Sequence, residues 1–121
     1  MNKIKLNSKK LEKMVKNTRK NGGYSDDILT QKRYIVSMEL DKEVIIPINN
    51  FNQKTLKNAI KNFTLKVSQG VGTWLNDNKV YIDINQGFDK LEEAMSIARE
   101  NNQLAIFDTL EEVAIPTGIV R

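Results

Sequence analysis

Apolar residues recur along this chain at two spacings, and the spacing divides it into segments. Leu11, Met14 and Val15, continued by Thr18, fall three or four residues apart, the period of one helix face. With Ser8 as N-cap and Asn21-Gly22-Gly23 as a stop, the pattern predicts a helix over about 9–20, inside a basic segment 8–21. Residues 24–31 read as a loop. Residues 33–40 (RYIVSMEL) and 43–48 (EVIIPI) are rich in β-branched side chains. Asp41-Lys42 between them reads as a hairpin turn, with Pro47 at a strand end or on an edge.

Asn52 is placed to cap a second helix with Leu56, Ala59, Ile60, Phe63 and Val67 on one stripe, closed by Gln69-Gly70. The cleanest hairpin signal follows, with 72–75 (GTWL) and 80–84 (VYIDI) flanking the turn residues 76–79 (NDNK). Asp89 and Glu92 stand at capping-box spacing before a third helix whose Leu91, Ala94, Met95 and Ala98 face inward, ended by Asn101-Asn102. Residues 104–108 and 113–115 are the last strands. The order α-β-β-α-β-β-α-β-β predicts an α+β fold, an antiparallel sheet packed against about three helices. One domain covers 1–121, with its core over 22–115 and a short tail over 116–121.

A chain of 121 residues buries roughly two thirds of its unfolded surface and holds a core without staples. It contains no cysteine and no histidine. The usual metal ligands, thiol nucleophile and imidazole base are thereby removed, so neither a cofactor, a metal nor an enzymatic activity is expected. The N-terminal sequence has no apolar run of signal-peptide type and no stretch approaches the ~20 residues that span a bilayer, so a cytoplasmic protein of a bacterial host is expected.

The net charge of +4 is unevenly spread. Residues 1–70 hold fifteen Lys or Arg against six Asp or Glu, whereas 71–121 hold four against nine. At about 100° per residue, Lys9, Lys13, Lys16 and Lys20 fall within roughly 60° of one another, opposite Leu11 and Met14. Lys54, Lys57 and Lys61 form a similar arc opposite Leu56 and Ile60. Like charges at these spacings repel by a few tenths of a kcal/mol per pair, so folding gives no reason to choose them. They read either as solvated helix faces or as contacts to a polyanion, DNA or RNA, or to an acidic partner. Trp74 and Tyr81, on the two arms of one hairpin, read either as a stacking surface or as core and cross-strand packing. Asp83 and Asp108 lie on predicted strands, where carboxylates more often bond backbone N–H groups than gather into a metal site.

Several pieces together resemble a group of small proteins carried by phages, plasmids and conjugative elements of Gram-positive and related bacteria. They are 21–25 (NGGYS), 33–37 (RYIVS), 72–74 (GTW), 79–84 (KVYIDI) and 98–108 (ARENNQLAIFD), covering roughly 21–108. The resemblance implies a mobile-element origin and, with it, a non-enzymatic inhibitor of host defence such as an anti-CRISPR protein. Such inhibitors occupy a nucleic-acid channel or a nuclease surface, which makes a defence nuclease or its guide RNA the expected partner. No catalytic residue is carried over. The alternatives are a nucleic-acid-binding accessory protein of phage or plasmid replication and transfer, and a module pairing through an exposed sheet edge. No membrane partner is expected, and the chain is read as a monomer or homodimer.

Overall fold

The computed structural model describes residues 2–3 and 7–120. Asn7, rather than Ser8, caps the first helix: its side chain accepts from Lys10 N at 2.8 Å. This helix, α1 (Ser8–Asn21), ends at Gly22, whose φ of 82° is the left-handed geometry that glycine adopts at little cost. The stretch expected to be a loop is structured. It forms a short strand, β2 (Gly23–Ser25), following β1 (Asn2–Lys3), and then one helical turn, α2 (Asp27–Thr30).

The hairpin expected over 33–48 does not form. β3 (Tyr34–Met38) and β4 (Val44–Pro47) instead run in the same direction along one flank of a long strand, β7 (Lys79–Phe88). Residues 34–38 pair with 88–84, and 44–47 pair with 82–79. Between them Glu39 takes φ 54° and Leu40–Lys42 form a 3₁₀ turn, so the chain bulges and continues. This satisfies β7's ladder along its length and sets Val36 and Ile46 on the same apolar face.

The second long helix, α3 (Gln53–Ile60), starts as expected at Asn52, which exchanges reciprocal bonds with Thr55. It stops earlier than its apolar stripe suggests. Phe63 is buried beyond the helix end, Val67 is exposed, and Gln69-Gly70 open a strand rather than closing a helix. β5 (Thr64–Leu65) pairs with β1, and β6 (Gln69–Asn76) forms the expected antiparallel hairpin with β7. Its turn is the two residues Asp77 and Asn78, both at positive φ, as the twist of a tight hairpin requires. The last helix, α4 (Leu91–Glu100), has Lys90 at its cap position and no side-chain cap. Asp89 pairs instead with Lys32 at 2.9 Å, and Leu91 is exposed rather than inward. Ala94 and Ala98 are buried as expected. β8 (Ala105–Asp108) and β9 (Val113–Pro116) end the order. The tail begins anchored: the Thr117 hydroxyl donates to Gln103 O at 2.6 Å, and Arg99 Nε donates to Thr117 O at 3.0 Å.

The protein is a single α+β domain built on an antiparallel sheet of order β2-β6-β7-β3-β8-β9, with β4 also on β7. Register places Val71, Val80, Ile82, Ile84 and Ile46 on one face, which α1 and α3 cover with Leu11, Met14, Leu56 and Ile60. Each of these leucines and isoleucines contributes roughly 1.5–3 kcal/mol by burial. Farther along the same face, α4 covers Tyr34, Val36, Phe88 and Ile106 with Ala94 and Ala98. The opposite face is only partly covered, by α2. Leu29, fully buried, lies over Gly70, where an added Cβ would stand 3.1 Å from its Cγ.

Candidate nucleic-acid interface

Two helices carry the basic residues, and both lie on the same sheet face. The lysine stripes are opposite the buried stripes of α1 and α3, so Lys9, Lys13, Lys16, Lys20, Lys54, Lys57 and Lys61 all point outward on one side of the molecule. All seven are exposed. From Lys9 to Lys20 the helical rise is about 16 Å, and from Lys54 to Lys61 about 10 Å.

Arg19 fixes how the two helices sit. Its guanidinium lies over the Phe51 ring at 5.8 Å and donates to Phe51 O, with a second contact to Ile48 O at 3.4 Å. It thereby ties α1 to the residues leading into α3. Beneath the helix, Thr18 Oγ1 donates to Met14 O at 2.6 Å and lies 2.5 Å from Thr73 Oγ1 on β6. Since the Thr18 proton is committed to Met14, Thr73 is the donor across that contact.

On the other flank of α1 lies the segment that the sequence pattern predicts as a loop. Asp26, almost fully buried, accepts from Val71 N at 2.7 Å and from Tyr24 Oη at 3.1 Å, and pairs with Lys10 Nζ at 3.1 Å. Burial, reinforced by the Asp26 carboxylate, pushes the Tyr24 phenol above its ordinary pKa. One carboxylate thus joins α1, β2 and β6. The sequence signal was the Asp26-Asp27 pair ahead of Ile28-Leu29, a helix-start pattern too short to register by periodicity. Between α1 and this segment run two shallow grooves of about 500 and 250 Å³, which share Lys13, Tyr24 and Asp27.

Lys10 and Arg19 are therefore occupied in building the fold. Among the described residues no ion pair engages Lys9, Lys13, Lys16 or Lys20, or Lys54 and Lys57 of α3 and Lys61 at its C-cap. Their charge is available to a partner. The far end of the sheet carries the opposite sign: Glu92, Glu93, Glu100, Glu111 and Glu112 are all exposed around α4 and the β8–β9 turn. β9 is the outer strand there, beside exposed Leu110 and Val113.

The aromatic pair is separated from the lysines. Thr73 points to α1, so Trp74 points to the opposite sheet face, as does Tyr81 between Val80 and Ile82. Core packing is excluded for Trp74, which is 40% exposed; the two rings form a tilted cross-strand pair with centroids 5.5 Å apart.

The carboxylates singled out in the sequence lie on opposite faces. Asp83 is buried on the aromatic face beside Tyr81 and Asn85. Asp108 is buried near the other edge, held by Arg33 through Nε–Oδ1 at 3.2 Å and Nη2–Oδ2 at 3.0 Å. It also accepts from Leu110 N and Glu111 N, the strand-end bonding expected of it. The Arg33 guanidinium, helped by those amides, holds its carboxyl below the usual carboxylate range. Among the described residues no group of three or more Asp or Glu is placed to hold a metal ion, and no helix is long and apolar enough to cross a membrane. No protein-family model, curated protein or solved structure matches this chain.

Proposed function

We propose that this protein works by binding, without catalysis, and that it grips the phosphate backbone of a nucleic acid on the lysine face of α1 and α3. One observation carries the reading: seven exposed lysines from two helices gather on one side of the molecule, while Arg19 between those helices is held at Phe51 and Ile48. Protein interfaces are depleted in lysine and enriched in Trp, Tyr, Met and Arg at their centres, so an acidic protein surface fits this face less well. A compact, mobile ammonium suits non-sequence-specific contact with phosphates.

In the setting the mobile-element resemblance implies, the nucleic acid is the guide RNA or bound strand of an RNA-guided defence nuclease, and the protein inhibits that nuclease as an anti-CRISPR protein. The test is a cleavage assay across a panel of such nucleases, with co-purification of each. Stoichiometric protein is expected to abolish cleavage by at least one of them. The variant Lys9→Glu, Lys13→Glu, Lys16→Glu, Lys20→Glu is expected to restore it. Unchanged cleavage and no co-purification across the panel would reject inhibition. Oligonucleotide binding persisting in that case leaves an accessory role in replication or transfer.

A further inference from the structure

The lysine face does not end at α1. The smaller groove runs from Lys13, Asn17 and Asn21 on the helix across the edge strand β2 to Gly23 and Ser25. In the sheet register Gly23 is the partner of Trp74, Trp74 of Tyr81, and Tyr81 of Ile45. These four make one row on the sheet face away from the helices. Gly23, which lines the groove, has no side chain beside its register partner Trp74, and the Trp74 ring is 40% exposed. Lys79 lies two residues from Tyr81 on the same face, about 7 Å along the strand. Lys79 thus stands beside an aromatic pair of which Trp74 is exposed and Tyr81 half-buried, and Lys13 stands across the β2 edge. Exposed Asp27, the first residue of α2, also lines both grooves.

We propose that the nucleic acid held on the lysine face is single-stranded, and that it crosses the β2 edge so that one of its bases stacks on Trp74 against Tyr81. This rests on the lysine face being a nucleic-acid surface, as argued above. The chemistry needs an unpaired base, because a duplex keeps its base faces stacked and cannot offer one to the indole while its backbone follows α1. An aromatic platform flanked by lysines is the arrangement by which single strands are held without reading their sequence.

Trp74 is the sole tryptophan in the chain, so its fluorescence reports on this contact directly. The native protein is titrated with a single-stranded oligonucleotide and with the duplex of the same sequence, in ribose and deoxyribose forms. Binding is followed both by anisotropy of a label on the strand and by tryptophan emission. Quenching by a ribose or a deoxyribose single strand, without quenching by either duplex, supports the proposal, and the more strongly bound sugar identifies the source. Trp74→Ala is expected to weaken single-strand binding about tenfold to a hundredfold while leaving duplex binding unchanged, and Trp74→Phe to restore most of it. Binding of single strand and duplex with equal affinity, no quenching and no effect of Trp74→Ala would overturn stacking while leaving the lysine face intact. Failure of every strand to bind would overturn both.

Discussion

Replacing Lys9, Lys13, Lys16 and Lys20 together with Gln removes the α1 half of the proposed interface and nothing that holds the fold. The four side chains are exposed, and among the described residues none is in an ion pair. Removing their mutual repulsion at i, i+3 and i+4 spacing stabilises α1 by a few tenths of a kcal/mol per pair, so the melting temperature should hold or rise slightly. If each of the seven lysines releases counterions from one phosphate, the affinity for a single strand falls with salt at a log–log slope of about −5, at roughly −0.7 per contact. With three lysines left the slope becomes about −2. Between about 50 and 200 mM salt the native protein should lose affinity about a thousandfold and the variant only about twentyfold. The measurement is anisotropy of a labelled oligonucleotide at several salt concentrations, alongside circular dichroism to show that the helix persists. Equal slopes for native protein and folded variant would show that the phosphates lie elsewhere, and the assignment of this face would fail.

Two further predictions concern the framework of the fold, one under that face and one near the far edge of the sheet. Thr73→Val deprives Thr18 Oγ1 of its donor and should cost about 1–2 kcal/mol in urea unfolding; Thr18→Val should cost as much, and the double variant less than the sum. Additive costs would refute the buried hydroxyl pair. The ion pair of Arg33 with Asp108 predicts a pH effect of definite sign. The carboxyl's folded pKa lies below its unfolded value, so its contribution is fully present above the ordinary carboxylate range and is lost as pH falls through the folded pKa. Native protein should therefore exceed Arg33→Gln in stability at neutral pH, and the difference should narrow in acid. A gap that stays constant down to strongly acidic pH would show that the guanidinium acts by packing alone.

Much of this protein is local and was legible in the chain. The apolar period of α1, the Asn52 cap of α3, the Asp77-Asn78 turn and the stop at Gly22 are each decided by residues within a few positions of one another. Such interactions need no distant partner, and the lysine stripes follow from the same periodicity. What failed to read was non-local. Nothing near Asp41-Lys42 tells the chain that β3 and β4 will each pair with β7, about forty residues on, instead of with one another. Ladder satisfaction and a shared apolar face decide that, and both exist only once β7 is in place. Asp26 looked like a loop residue because its partners Lys10 and Val71 lie far off in sequence. The same holds for function. Sequence alone set seven lysines on two helices and two aromatic rings on one hairpin. Tertiary packing put the lysines on one side and the rings on the other, because a strand sends alternate side chains to opposite faces and both helices cover the face that carries Ile82 and Ile84.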